Sequence, residues 1–418
     1  MYRILHSTLR FVLRQFFAEV RLAGRAPVES GPVIILGNHP NMALDSLIIA
    51  SVYERELWFL GKATLFRNPL VAAILDKLHV IPVERRQDSP SDTVQNDEMF
   101  RRAAAVLEAG RGLALFPEGV SRGERKLAPL KTGAARIAFQ AESPRNFSGG
   151  LVLQPVGITY SDLHAFRSSV TVTFGEPIKA ADFADDFAAD AIGTVRALTA
   201  RCQAELEAVT VEIRLIEHQA LIEKIARLYR SSGSTLDERA RLGLIAQNVE
   251  ALAPHYPERA DELKRRIDDY LAVAGMFAIE GDAPLEEERA ALPTLLVLPL
   301  VFLGVVTHFL PYQAIGTLAR RAAESVTLAS LKLGLGAVIF PVWYLCIGAV
   351  VVAVSGSWWW GAFAVILTVL SGYGANHYLH ATRLFLLSTL WPGKRKPVEV
   401  VRILRDDIIA ELERLRIA

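Results

Sequence analysis

Val33-Ile34-Ile35-Leu36-Gly37-Asn38-His39-Pro40-Asn41-Met42-Ala43-Leu44-Asp45 joins an apolar run to an imidazole and a carboxylate. Four apolar residues closed by a glycine read as a buried strand, so the His39 segment stands at a strand's carboxyl end. An imidazole titrates near neutrality. His39 can therefore take a proton from an alcohol as that alcohol attacks a carbonyl, while Asp45 fixes its tautomer and stabilises the imidazolium. The pair brings no nucleophile: Ser46 is not set in a G-x-S-x-G elbow, and Cys202 and Cys346 lie far along the chain. An attacking alcohol would belong to a substrate. On a straight helix six residues advance ~600°, which would separate His39 from Asp45. Pro40 suits the first helical position, and a helix starting there would leave His39 on the incoming loop, able to fold back over Asp45. The ordinary alternative for such a pair is a loop histidine and an unrelated helix cap.

Outward from this segment, apolar runs at 33–36, 57–60, 80–83, 113–116, 151–158 and 170–174 alternate with helical patterns. The alternation predicts an α/β layer with a largely parallel sheet, in which ligands sit beyond the carboxyl ends of the strands. A second such end carries Phe116-Pro117-Glu118-Gly119-Val120-Ser121-Arg122-Gly123-Glu124-Arg125, continuing to Lys131-Thr132-Gly133. Backbone N–H groups of that turn, joined by Arg122, Arg125 or Lys131, can hold a phosphate. A solvated, charged surface loop is the plainer reading of the same residues.

Four ordered blocks over roughly 30–180 resemble the glycerolipid acyltransferase superfamily, which includes glycerol-3-phosphate and 1-acylglycerol-3-phosphate O-acyltransferases. They are Asn38-His39 with Asp45, then Val80-Ile81-Pro82-Val83-Glu84-Arg85, Phe116-Pro117-Glu118-Gly119 and Leu153-Gln154-Pro155-Val156. The His-Pro-Asn form is similar to a subgroup of fungal glycerol-3-phosphate/dihydroxyacetone-phosphate enzymes. Five residues separate His39 from Asp45 where the common motif has four, and Val120-Ser121 stands where many members carry Thr-Arg. The resemblance implies His39 as general base, Asp45 as its orienting partner, Glu118 and Gly119 in the acceptor-binding block, and Arg85 on the acceptor phosphate. It implies acyl transfer from a thioester, acyl-CoA or acyl-carrier protein, to a glycerol-type hydroxyl. No acyl-enzyme, no metal and no cofactor beyond that co-substrate is implied.

Composition bears on the setting. Hydrophobic residues make up 51% of 418 residues and mean hydropathy is +0.27, which suggests membrane residence. Lys and Arg total 46 against 45 for Asp and Glu, so a net charge of +1 gives no reason to expect nucleic acid. Two cysteines make neither a disulfide framework nor a zinc site. Leu5, Leu9, Val12, Leu13, Phe16, Phe17 and Val20 recur at helical spacing among Arg3, Arg10, Arg14 and Arg21. They predict an amphipathic N-terminal helix within 1–27, lying on a bilayer or packed on the next domain.

The catalytic domain is expected over 28–182, a charged helical connector over 183–289, a transmembrane region over 290–390 and a cytosolic tail helix over 391–418. No Asp, Glu, Lys or Arg occurs between Arg289 and Arg320, or between Lys332 and Arg383, and a span needs only ~20 apolar residues. Two spans are predicted near 333–354 and 358–381, with Ser355-Gly356-Ser357 as the turn and Trp358, Trp359 and Trp360 as interfacial anchors. Arg320, Arg321 and Lys332 on one side and Lys394, Arg395 and Lys396 on the other favour cytosolic flanks. A cytosolic catalytic domain would then require 290–319, with Pro293, Pro299 and Pro311, to enter and return as a re-entrant segment or tight hairpin. His308, His377 and His380 fall in the apolar intervals, where polar groups are costly.

The reaction the resemblance implies is O-acylation of 1-acylglycerol 3-phosphate in phospholipid synthesis, with glycerol 3-phosphate or dihydroxyacetone phosphate as the alternative acceptor. A lipid hydrolase and a non-catalytic lipid-binding membrane protein are the alternatives from other classes.

Overall fold

β-branched and apolar runs bounded by glycine or polar turns become the strands of this protein, and the alanine-rich stretches between them become helices. The computed structural model describes the chain apart from residues 1, 85–92, 232–236, 278, 280–290, 323–326, 390–395 and 418. It divides into two units, Met1–Glu212 with Ser325–Ser330, and Ile213–Glu324 with Leu331–Ala418.

The first unit runs α1 (Tyr2–Phe16), β1 (Glu19–Gly24), β2 (Val33–Gly37), α2 (Ala43–Val52), β3 (Leu57–Lys62), α3 (Pro69–Lys77), β4 (Val80–Val83), α4 (Thr93–Glu108) and β5 (Gly112–Leu115). It continues through α5 (Gly133–Glu142), β6 (Val152–Tyr160), β7 (Ser169–Phe174), β8 (Ile178–Lys179), α6 (Ala184–Ala189) and α7 (Ala191–Glu207). One eight-stranded sheet has the order β1-β7-β6-β2-β5-β3-β4, with β8 beside β6. β2 pairs parallel with β5 and β6, and β3 pairs parallel with β4 and β5; β7 and β8 run antiparallel to β6. The sheet is thus largely parallel, and β2 at its centre is buried along its length, as a strand covered on both faces must be.

Ile34, Leu36, Leu113, Leu115 and Leu153 share one apolar cluster with Phe100 and Leu107 of α4, Ile137 and Phe139 of α5, and Leu198 and Cys202 of α7. That contribution from α7 corrects one expected boundary: the first unit extends to Glu212, past 182, because α7 completes its core. Another correction lies at the N terminus. The helix ends at Phe16, and Glu19–Gly24 is an edge strand paired parallel with β7 in place of a continued helix. Pairing with a neighbouring strand overrides local helical spacing there. α1 packs on α2, with Arg10 Nε donating to the Ser51 carbonyl at 2.7 Å, and it buries Leu13 and Phe16 while Ile4, Leu5 and Phe11 stay exposed.

The second unit holds α8 (Gln219–Ser231), α9 (Glu238–Leu252), α10 (Pro257–Met276), α11 (Ala291–Ala322), α12 (Leu328–Ser355), α13 (Trp358–Thr389) and α14 (Pro397–Ile417). Helices α8 to α10 are cross-linked by the pairs Arg230–Glu238 at 3.1 Å and Lys224–Asp268 at 2.5 Å. Leu296–Ala322, Leu328–Ser355 and Trp358–Leu387 are long and apolar enough to cross a membrane. The turn between the last two falls at Gly356, φ 67°, as the sequence predicts. The 290–319 segment differs from expectation: α11 is one continuous 32-residue helix through Pro299 and Pro311, with no hairpin. A proline forfeits one backbone bond, and helical neighbours can re-satisfy the freed carbonyl, so an apolar helix continues through it. Close packing supports α11 as well, since a Cβ on Gly304 would meet the Ser371 carbonyl oxygen of α13 at 2.0 Å. His308 is absorbed into this packing, 3.1 Å from the Tyr344 hydroxyl and 2.9 Å from the Gly304 carbonyl. His377 lies 3.0 Å from the carbonyl of Tyr373 on its own helix.

Candidate active site

Because β2, β5 and β6 are parallel, their carboxyl ends meet at one edge of the sheet, and three segments converge there. β2 delivers Asn38 and His39, β5 delivers the Phe116–Glu118 turn, and β6 ends at Tyr160. Asn38 ties two of these ends together: Ile158 N–H donates to its Oδ1 at 2.7 Å, and its Nδ2 donates to the Ile158 carbonyl at 3.1 Å.

His39 Nδ1 lies 2.9 Å from Asp45 Oδ2. The fold-back is made differently from the sequence expectation. Pro40 precedes the helix, which starts at Ala43, and Met42 at φ 49° closes the intervening turn. The Leu44 and Asp45 N–H groups donate to the Asn41 and Met42 carbonyls, so the first turn is tight enough to set Asp45 beneath the imidazole. A non-glycine residue at positive φ is strained, and such strain persists where surrounding structure enforces it, often at working sites.

Asp45 is fully buried and takes three donors: His39 Nδ1, Asn41 N–H at 2.7 Å and the Tyr160 hydroxyl at 2.7 Å. Tyr160 is itself buried, and burial, with Asp45 beside it, holds its hydroxyl protonated far above the ordinary tyrosine range. It is therefore a fixed donor. The His39 ring stacks on Phe116 with centroids 4.0 Å apart, which sets the ring plane. Tyr160, Asn41 and Phe116 went unassigned in the sequence reading. Only the placement of Phe116 and Tyr160 in or beside the strand-end runs could have pointed to them.

Glu118 and Gly119 do reach this edge, in roles that differ from open ligands. Glu118 Oε1 accepts the His39 N–H at 2.9 Å and Oε2 accepts the Ala128 N–H at 2.9 Å, so both oxygens clamp backbone. Burial raises its carboxyl above the ordinary range, against the two N–H bonds that favour the ion. Gly119 has φ +68°, a backbone conformation that favours glycine, and it lies against the Lys131 side chain. Ser121 Oγ donates to the His39 carbonyl at 2.7 Å and Arg122 N–H donates to the same oxygen at 3.2 Å, binding the loop to the His39 turn.

An open cleft lies over these groups, lined by Asn38, His39, Glu118, Arg122, Arg125, Lys126, Tyr160 and Glu212, among others. Arg122 is exposed at its rim, whereas half-buried Arg125 donates to the Tyr160 carbonyl at 2.8 Å. Lys131 lies across Gly119 and is not among the cleft-lining residues. Arg85 lies outside the described residues. Glu212, unassigned by the sequence reading, accepts the Leu127 N–H at 3.0 Å and the Thr210 hydroxyl at 2.7 Å, and burial raises its carboxyl. Gln154 of the fourth block is structural: its Oε1 accepts the Tyr53 hydroxyl at 2.8 Å and the Val28 N–H at 2.9 Å.

The arrangement combines an imidazole with one nitrogen committed to a buried carboxylate, a ring edge on an open cleft, and cations at that cleft. Residues 19–159, a third of the chain, match the family model described as Acyltransferase. Through this domain the chain is similar to the glycerolipid acyltransferases. Glycerol-3-phosphate O-acyltransferase 1 of Saccharomyces cerevisiae is 29% identical over 143 residues, 33% of this chain and 18% of that protein. The 1-acyl-sn-glycerol-3-phosphate acyltransferase of Borreliella burgdorferi is 31% identical over 125 residues, 28% of this chain and 47% of that protein. This chain thus spans less than half the length of either relative. A crystal structure of 1-acyl-sn-glycerophosphate acyltransferase from Thermotoga maritima is 19% identical with a TM-score of 0.37, covering 50% of this chain and 79% of that one.

Proposed function

We propose that the protein is a membrane-bound O-acyltransferase of phospholipid synthesis that acylates 1-acylglycerol 3-phosphate from acyl-CoA or acyl-carrier protein, with His39 as general base. The observation that carries this reading is the His39–Asp45 contact at 2.9 Å beneath a cation-bearing cleft. With Nδ1 committed to Asp45, Nε2 takes the acceptor's hydroxyl proton as the alcohol oxygen attacks the thioester carbonyl carbon. The tetrahedral intermediate collapses, the carbon–sulfur bond breaks, and the departing thiolate recovers the proton from the imidazolium. Asp45 stays ionised throughout, steadied by Tyr160 and the Asn41 N–H. Arg122, Arg125 and Lys126 offer charge to an acceptor phosphate at the cleft.

Glycerol 3-phosphate is the second acceptor reading, supported by the yeast relative and the His-Pro-Asn segment. The apolar helices keep the domain where both lipid partners reside, since each acyl methylene drawn into water costs about 0.8 kcal/mol. We place the domain on the cytosolic face, where thioester carriers are held; one-sided thiol labelling of Ser148→Cys in sealed vesicles checks this.

The deciding experiment offers purified full-length protein one acyl-CoA and a panel of acceptors. Thiol release that requires 1-acylglycerol 3-phosphate and yields phosphatidate supports the proposal. Free fatty acid as product makes the protein a hydrolase. No thiol release with any acceptor leaves a lipid-binding protein.

A further inference from the structure

The segment between β3 and β4 is at odds with its own composition. The 3₁₀ turn Ala63–Arg67 has no buried residue, and none of the described side chains of α3 is buried, although α3 reads Pro69-Leu70-Val71-Ala72-Ala73-Ile74-Leu75-Asp76-Lys77. Leu65 is 50% exposed and Ile74 57%, with Val71 and Leu78 also open. A nine-residue helix is too short to persist in water on propensity alone, and an apolar one left uncovered marks an interaction surface.

We propose that the 3₁₀ turn and α3 form a docking surface for an anionic phospholipid bilayer, seating the catalytic edge of the sheet against the lipid. Three features select a bilayer over a protein partner. Among the described residues the chain already carries three helices long and apolar enough to cross a membrane. Lys62, Arg67 and Lys77 flank the apolar residues with Asp76 as the only acid from 62 to 78, the charge balance of an interfacial helix. The turn also leaves the carboxyl end of β3, which is parallel to β5 and hence ends at the edge that carries His39 and Glu118. Docking there brings an acyl chain to the cleft from within the bilayer; this consequence rests on the acyl-transfer reading, while the docking does not.

Full-length protein carrying Cys346→Ala, so that the remaining Cys202 is buried, is labelled at Ile74→Cys with an environment-sensitive dye. It is then reconstituted into vesicles of phosphatidylcholine and phosphatidylglycerol. Leu65→Cys is a second probe should the first fail to fold, and Glu108→Cys, before the amino end of β5, is the solvent control. The expected result is emission shifted to shorter wavelength and quenched by brominated lipid at 74 and 65, without quenching at 108. Equal, water-like emission at all three positions would overturn the proposal. Shielding that persists in detergent, with cross-linking between copies through position 74, would assign the face to a second copy of the chain instead. None of these readouts requires turnover, so a failed acyl-transfer assay and a failed docking assay are separate results.

Discussion

Asp45 and Glu118 are two buried carboxylates at one sheet edge, and their partners differ in kind. Asp45 takes two side-chain donors, one of them the imidazole, plus a single N–H; Glu118 takes only backbone N–H groups, from His39 and Ala128. In the proposed reaction the His39 turn is therefore built around an imidazole that takes and returns a proton. The Phe116 loop is built around a group whose work is done once the loop is closed. Nearness to the reacting atom does not by itself make a carboxylate a participant in chemistry; what its lone pairs are bonded to decides that.

The contrast breaks most sharply at the base. His39→Ala is expected to lower acyl transfer about 10²- to 10⁴-fold with the fold retained, measured as acceptor-dependent thiol release beside circular dichroism. A variant that keeps near-wild-type turnover would remove His39 from the chemistry. Glu118→Gln should act on the other side of the comparison, losing one acceptor for a buried N–H and about 1–3 kcal/mol of stability. Its apparent Tm falls, and activity measured well below that Tm falls less than for His39→Ala. A loss confined to the acceptor KM would instead make Glu118 a ligand.

Tyr160→Phe sharpens the Asp45 half. It deletes one hydrogen bond of about 0.5–1.5 kcal/mol, so kcat should drop by roughly two- to tenfold. The acid limb of the pH–rate profile should also move to higher pH, because Asp45 freed of one donor holds the imidazolium more strongly. Lowered stability with an unmoved limb would reduce Tyr160 to packing.

The smallest effect concerns pH and stability. Burial raises the carboxyls of Glu118 and Glu212, so their contribution is fully present below the unfolded carboxyl range and is lost as pH rises through their raised folded values. Glu212→Gln should flatten the decline in apparent Tm over that interval, measured in parallel with wild type.

Much of this was legible in the chain, for reasons that vary with distance. The apolar runs, the His39–Asp45 pair and the long uncharged stretches are local patterns, and each was found where periodicity or length placed it. Glu19–Gly24 was misread as helix because an edge strand takes its identity from β7, some 150 residues away. The prolines of α11 predict a break, but the α13 backbone packed against Gly304 supports one continuous helix.

By itself the sequence settled which segments are apolar, which carry an acid, a base or a cation, and which are long enough to span a bilayer. These follow from residue identity and spacing alone. Tertiary structure decided that Tyr160 bonds to Asp45, that both oxygens of Glu118 are taken by backbone N–H groups, and that the described side chains of α3 lack a cover. Each of those depends on strands brought side by side, and the direction in which a hydrogen bond or an apolar face points exists only once they pair.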